Sequence, residues 1–116
     1  MAEGFANLYG SDVLQASSAG LSPTSSVTPE TVEVMAEMNV DISRHVPCYY
    51  DLLTIGNYDL VVNMAGFRLP GPGPKELIEW QVQDPYRSRI EVYRAVRSDL
   101  EQRVMRLILD LRRRRT

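Results

Sequence analysis

The stretch Asp59-Leu60-Val61-Val62-Asn63-Met64 (DLVVNM, 59–64) decides the fold class of this chain of 116 residues. Its centre is a continuous run of apolar and β-branched residues, which is typical of a strand covered on both faces. Strands of this kind occur in parallel sheets that have helices on both sides. The stretch therefore predicts an α/β fold built around a buried parallel sheet.

Helical patterns lie on both sides of this strand. Residues 1–9 carry apolar side chains at helical spacing and predict a first helix. A second helix is predicted to start at Thr28-Pro29-Glu30 and to end at about Asn39. Thr28 can cap it, Pro29 fits its first turn, and Glu30 suits the positive end of its dipole. Apolar residues at steps of three and four up to Leu111 predict a long last helix, which begins at Asp84-Pro85.

Shorter elements complete the pattern. Two more short strands are predicted, at residues 13–16 and at Trp80-Gln81-Val82. A helical turn is expected just before the second of these strands. Residues 49–55 predict a short helix. Helices that alternate with strands predict a layered α/β domain. At this length, the chain 1–116 is expected to form a single domain with its own core.

The composition is that of an ordinary globular protein, with 44% hydrophobic and 24% charged residues. Because no apolar run approaches about 20 residues, no membrane span is expected. The chain shows no charged and apolar leader, so a cytoplasmic location is expected. Cys48 is the only cysteine of the sequence, which excludes an internal disulfide and a cysteine-based metal cluster. Neither a metal nor an organic cofactor is predicted.

The net charge of −2 conceals a strong asymmetry. Residues 1–84 hold three basic and eleven acidic side chains, whereas residues 85–116 hold ten arginines and four acidic groups. A nucleic-acid-binding arm that ends in Arg112-Arg113-Arg114-Arg115 is one interpretation. The favoured one is a solvated helix whose last turn carries cations that suit the negative end of its dipole. Few aromatic residues lie among the arginines, so nucleic acid is an unlikely partner.

Five pieces of the sequence occur in a recognisable order: MAEGF, SAG..P...V.PE.VEVM.E..VDIS.H.P, DLVV.M, EWQV.DP and YRAVRSDLEQRV..LI. Together they resemble the low-molecular-weight protein tyrosine phosphatases and their relatives, the thioredoxin-coupled arsenate reductases. The resemblance extends from Met1 to about Leu109. It implies a three-layer, flavodoxin-like fold around a parallel sheet.

In the family that the chain resembles, a first strand and a Cys-x5-Arg-Ser phosphate loop come before the segment that corresponds to Met1-Ala2-Glu3. Such a loop surrounds a phosphate with N–H groups, keeps the cysteine as a thiolate, and holds two oxygens with the arginine. The 116 residues begin about where that loop would end, so the sheet is expected to lack its first strand. The chain as given is therefore predicted to be inactive. Cys48 is no substitute, because Thr54 stands where the arginine would be required.

Three residues are candidate site residues by resemblance. Asp84, in Asp84-Pro85-Tyr86, corresponds to the family's general acid, which protonates the leaving tyrosine oxygen. An aspartate before proline is also a good helix N-cap, and this alternative reading is the more secure one. Tyr86 would line the entrance for a phenyl ring. Ser18 would hydrogen-bond the phosphate loop from behind, or else be an ordinary polar turn residue.

Two other positions bear on the chemistry. Arsenate reductases of the thioredoxin-coupled type need further cysteines in or just after the stretch Met64-Ala65-Gly66, and this chain has Ala65 there. Arsenate reduction by that route is therefore not expected. His45, the only histidine, receives no catalytic role, because a lone histidine in a loop is most often a surface group.

Three hypotheses about function follow. In the first, a longer natural form hydrolyses phosphotyrosine or another aryl phosphate through a phosphocysteine, without a metal. In the second, the chain is a non-catalytic relative that binds partners through an exposed sheet edge or through its arginine-rich last helix. In the third, it is a gene remnant. A missing inner strand would leave backbone groups unpaired, and three arrangements would satisfy them: residues 13–17 pair directly with residues 59–64, a second copy of the chain fills the gap, or the chain is part of a larger product. A homodimer is the hypothesis for the chain as given.

Overall fold

The computed structural model describes residues 1–20, 27–46, 48, 55–68 and 73–115. Three α-helices and two β-strands lie in these ranges, with one 3₁₀ turn at Ile55–Asn57: α1 (Ala2–Tyr9), α2 (Pro29–Ala36), β1 (Leu60–Asn63), β2 (Glu76–Glu79) and α3 (Ile90–Arg115). The strands are parallel, and Leu60 lies beside Glu76. The predicted α/β class is confirmed. No helix of the described ranges is both long and apolar enough to cross a membrane.

Helix α2 begins where the sequence predicts. The backbone N–H of Thr31 donates to the side chain of Thr28, and Pro29 occupies the first turn. The helix ends earlier than expected, at Ala36, because the chain turns there. Asn39 adopts a left-handed conformation with φ 61°, and the N–H of Val40 returns to the carbonyl of Met35. Asparagine is among the residues that accept this conformation at a helix end.

The core lies along one face of α3, against which both α1 and α2 pack. The buried apolar residues of the described ranges come from all three helices and from the turn after α2: Phe5, Val34, Met35, Val40, Tyr93, Val96, Leu100, Val104 and Ile108. Those of α3 recur at steps of three and four, as its amphipathic pattern predicts. The strand residues lie outside this cluster, and of β1 only Asn63 is buried.

The strand predicted at residues 13–16 is wrong. The chain makes a turn after α1, in which the N–H groups of Val13 and Leu14 donate to the carbonyl of Gly10. The side-chain amide of Asn7 then binds both the N–H and the C=O of Ala16, at 2.8 and 3.0 Å. The side chain of Asn7 thus forms the hydrogen bonds that the backbone of Ala16 would otherwise form with a neighbouring strand.

The predictions for the second strand and for the start of the last helix are also wrong. Residues 76–79 form the strand β2, not a helical turn, and β2 ends before Trp80. Helix α3 begins at Ile90, because Arg87 adopts φ 63°, which interrupts a helix. The described part of the sheet therefore has two strands rather than three.

Part of one prediction lies outside the described residues. The short helix expected at residues 49–55 falls there except for its last residue, Ile55, which begins the 3₁₀ turn. Thr54 also lies outside the described ranges.

Candidate functional site

The carboxyl ends of β1 and β2 lie at the same end of the sheet, because the strands are parallel. Residues 64–67 follow β1, and residues 80–89 follow β2. Open parallel sheets bind their ligands in the crevice outside the carboxyl ends of their strands. Asp84 and Tyr86 both lie in the second of these segments, so two of the predicted site residues follow the carboxyl end of a parallel strand.

Asp84 is held in a tight turn. Its Oδ1 accepts the N–H of Tyr86 at 3.0 Å, and the N–H of Ser88 donates to the carbonyl of Pro85 at 2.8 Å. The predicted role of Asp84 as the N-cap of the last helix is wrong, since α3 begins six residues later at Ile90. Instead, the backbone fixes an exposed carboxylate whose second oxygen accepts no hydrogen bond within the described part of the chain.

Tyr86 is 53% exposed, so its side chain is open to contact with another molecule. The guanidinium of Arg87 lies over this ring, 5.3 Å from the centroid. Asp84, Tyr86 and Arg87 are thus neighbours in one turn that presents an acid, a phenol ring and a cation.

The loop after β1 is organised by Asn63, a residue that the sequence reasoning did not single out. Asn63 is 5% exposed, and its Oδ1 accepts the N–H of Ala65 at 2.9 Å. Its Nδ2 donates to the carbonyl of Phe67 at 2.8 Å. Gly66 has φ 85°, which a residue with a side chain rarely adopts. The available signal was a single polar residue at the end of an apolar strand.

Ser18 meets the first turn of α1. Its Oγ donates to Oε1 of Glu3 at 3.2 Å, and Nδ1 of His45 lies 3.0 Å from Oε2 of the same carboxylate. His45, which received no role from the sequence, thus joins Ser18 on one acidic side chain. Within the described residues, no contact connects this group with Asp84 or Tyr86.

Cys48 is exposed, and its Sγ lies 3.6 Å from the carbonyl of Val46. The carbonyl of Cys48 accepts the N–H of Gly20, which ties two loops together. These contacts are those of a loop residue, and none of them involves a base or a cation that would activate the thiol.

Several arginines of α3 form ion pairs with carboxylates of the described residues. Arg94 and Arg97 both bind Glu37, at 2.8 and 2.6 Å, and their hydrogen bonds lower the pKa of that carboxyl to about 2. Arg112 binds Asp12, which lies in the turn after α1, and Arg114 binds Glu76 of β2. Arg114 also binds Asp110, and Arg103 binds Asp99, both within α3. Much of the positive charge of the last helix is therefore engaged inside the molecule.

A groove of about 450 Å³ separates β2 from α3. Ile78, Trp80 and Leu107 form its apolar part, and the guanidinium of Arg103 lies 5.9 Å from the Trp80 ring centroid. None of the predicted site residues lines it.

A two-stranded parallel sheet, three helices and an Asp-Pro-Tyr turn that follows the second strand define an α/β protein. Residues 1–69 match the family model described as "Low molecular weight phosphotyrosine protein phosphatase". The chain belongs to this family, as the five sequence pieces predict.

The similar proteins include arsenate reductases. The chain is 34% identical over 112 residues to the "Glutaredoxin arsenate reductase" of Synechocystis sp., which covers 93% of this chain and 85% of the relative. It is 30% identical to the "Arsenate reductase" of Halalkalibacterium halodurans, covering 90% of this chain and 81% of the relative.

Solved structures agree on the fold. The structure described as "An arsenate reductase in the phosphate binding state" superposes with a TM-score of 0.83 at 32% identity, covering 95% of this chain and 86% of the other. A "Structure of a protein tyrosine phosphatase" superposes with a TM-score of 0.79 at 22% identity, covering 96% and 85%. The predicted flavodoxin-like fold is thereby confirmed.

Proposed function

We propose that the chain carries the general-acid half of an aryl-phosphate hydrolase, and that the activity belongs to a longer natural form in which a strand and a Cys-x5-Arg loop precede Met1. The observation that carries the proposal is the Asp-Pro-Tyr turn at the carboxyl edge of the sheet. There a carboxylate is fixed by the N–H of Tyr86 beside an exposed phenol ring.

Each residue of the turn has a chemical role in this proposal. Asp84 donates a proton to the phenolic oxygen as the phosphorus–oxygen bond breaks, and then accepts a proton from the water that attacks the phosphocysteine. Tyr86 packs against the phenyl ring of the substrate. The nucleophile and the phosphate-binding arginine are supplied by the loop before Met1, so the 116 residues alone are expected to be inactive.

The loop after β1 argues against reduction by the thioredoxin-coupled route. The relatives are named arsenate reductases, but reduction by the thioredoxin-coupled route needs a relay of further cysteines. Asn63 instead orders a loop that contains Ala65 and Phe67. The single cysteine of the sequence, Cys48, is bonded through its backbone to Gly20. No thiol pair is present in these 116 residues to carry a disulfide.

The test compares the 116-residue chain with a longer chain translated from the codons that lie in frame before Met1. We expect p-nitrophenyl phosphate turnover only from the longer chain. Asp84→Asn should lower its kcat by about 10²- to 10⁴-fold. Asp59→Asn is the matched control, since Asp59 is also exposed but is placed beside Lys75 at the start of β1. Turnover by the 116-residue chain that survives Cys48→Ser would overturn the proposal, as would arsenate reduction by the longer chain.

A second candidate is a non-catalytic binding protein. Within the described residues, β1 pairs with a strand on one side only, which favours this candidate. The ion pairs of Arg97, Arg112 and Arg114 with the chain's own carboxylates leave less charge for an acidic partner. Retention of the 116-residue chain on heparin that is lost with added salt would support the helix as the binding surface instead.

A further inference from the structure

The outer edge of the sheet belongs to β2, which pairs only with β1 within the described residues. The strand that the proposed function places before Met1 is an inner strand, so it joins the sheet on the other side of β1. Strand β2 therefore remains at the outer edge whether or not that strand is present.

The backbone of β2 presents two of its residues to this edge. The N–H of Trp80 donates to the carbonyl of Asn63 at 2.9 Å, so it points towards β1. Successive residues of a strand direct their N–H and C=O groups to opposite edges. The backbone groups of Leu77 and Glu79 therefore point outwards, and they have no partner within the described part of the chain. An extended peptide that adds as a further strand forms its main-chain hydrogen bonds at such an edge.

The groove between β2 and α3 runs along the same edge. Among the described residues that line it, none belongs to β1, so the groove lies at the outer side of the sheet rather than beneath it. Ile78 is partly buried and faces this groove, whereas Leu77 and Glu79 are exposed on the opposite face. The side chains of an added strand alternate in the same way, so every second one enters the groove.

The charges that line the groove leave one cation available. Asp99 is bound by Arg103, and Asp110 is bound by Arg114. Arg106 is exposed and forms no hydrogen bond or ion pair within the described part of the chain. A carboxylate is the natural partner of a guanidinium. The groove therefore fits an acidic side chain beside an apolar one.

The contacts between β2 and α3 set the spacing of these two features. Arg114 binds Glu76 and Arg103 lies over Trp80, so α3 runs antiparallel to β2. Arg106 lies between these two arginines, about one helical turn from Arg103, and is level with the second half of β2. An acid opposite Ile78 and an apolar residue opposite Trp80 are two positions apart on an added strand, so they share its groove face.

We propose that the outer edge of β2 binds an extended peptide segment that carries an acidic and a large apolar side chain two residues apart. The main chain of the segment pairs with Leu77 and Glu79. Its acid binds Arg106, and its apolar side chain packs on Trp80. An acid on the other face would lie beside Glu79, and this repulsion selects the register.

The peptide acetyl-Phe-Thr-Glu-Thr-Phe-amide tests this proposal, because it reads the same in parallel and in antiparallel orientation. Trp80 is the only tryptophan of the sequence, so its fluorescence reports on the groove. We expect a saturable change with a Kd of about 0.1–1 mM. The peptide with glutamine in place of glutamate should bind about tenfold more weakly. So should acetyl-Phe-Glu-Thr-Thr-Phe-amide, whose acid lies on the other face.

Variants of the protein test the same contact from the other side. Arg106→Gln should weaken the binding of the glutamate peptide about tenfold and leave that of the glutamine peptide unchanged. Arg106→Glu should prefer a peptide with lysine at the central position. Arg44→Gln is the matched control, since Arg44 is also exposed but does not line the groove. Circular dichroism checks that each variant keeps the fold.

Amide hydrogen exchange locates the bound peptide. The N–H groups of Leu77 and Glu79 should be protected only with peptide present, and that of Ile78 at all times. Their protection without peptide overturns the proposal, because the chain itself or a second copy then covers the edge. No saturable change up to about 10 mM overturns it, and so does equal binding of the three peptides or full binding by Arg106→Gln. None of these results depends on phosphatase activity.

Discussion

Replacing Gly10 with alanine tests the close approach of α1 to α3, on which the packing of the first helix depends. Gly10 ends α1 with φ −120° and ψ 18°, a backbone that alanine can adopt, so the effect is one of space. A methyl group at Gly10 would lie 2.7 and 2.9 Å from two carbons of Ile108, and 3.0 Å from the carbonyl oxygen of Ala6. Ordinary contact begins at 3.4 Å, so the shortest of these distances is about 0.7 Å too small.

Ile108 has little room to move aside, because it is fully buried in the core. The carbonyl of Ala6 is held by the N–H of Gly10 itself, so α1 must shift on α3. Overpacking of this kind costs about 1–3 kcal/mol. For a chain of this length, the midpoint of thermal unfolding should fall by about 4 °C for each kcal/mol. Urea unfolding, followed by far-ultraviolet circular dichroism and by the fluorescence of Trp80, measures the loss.

Gly73→Ala is the matched control, since a methyl group there meets nothing within 4 Å, and its stability should be unchanged or slightly higher. A second comparison uses Ile108→Ala, which alone should cost about 2–5 kcal/mol. In the double variant the new methyl group occupies part of the space left by Ile108. The loss of stability in the double variant should therefore be smaller than the sum of the losses in the two single variants. An unfolding midpoint for Gly10→Ala equal to that of the unchanged chain would refute the close approach.

Three further predictions concern charge, polar contacts and the thiol. Arg94 and Arg97 lower the pKa of Glu37 to about 2 from its ordinary 4.5. The contribution of the Glu37 carboxylate to stability is therefore complete above about pH 5 and is lost as the pH falls towards 2. Glu37→Gln should flatten this part of an acid-unfolding curve. Asn63→Ala should cost about 1–3 kcal/mol in urea unfolding, because it removes two partly buried hydrogen bonds of the loop. Cys48→Ser should leave stability within about 0.5 kcal/mol, since the thiol is exposed.

Local signals predicted the elements that local chemistry can fix. The order Thr28-Pro29-Glu30 located the start of α2, because a cap and a first-turn proline act within one turn. The apolar run of β1 predicted a strand in a parallel sheet, as found. The resemblance that identified the family depends on widely spaced residues, and it held over most of the chain.

The errors occurred where a side-chain contact or a backbone angle outweighs a local preference. Residues 13–16 have the composition of a strand, but the amide of Asn7 binds Ala16. Asp84-Pro85 has the order of a helix start, but the left-handed backbone of Arg87 delays α3 until Ile90. In each case, the deciding side chain or backbone angle lies outside the local pattern.

The same division applies to the candidate site. The sequence by itself determined the family, the α/β class and the presence of an acid and an aromatic ring at 84 and 86, because these follow from residue identity and order. Only the tertiary structure decided that Asp84 is fixed by a turn, that Asn63 orders the neighbouring loop, and that Ser18 and His45 share Glu3. The contacts of Ser18 and His45 with Glu3 join residues far apart in the chain, so they depend on how the elements pack. The bonds of Asp84 and Asn63 are local, but they require backbone turns that residue identity alone does not specify.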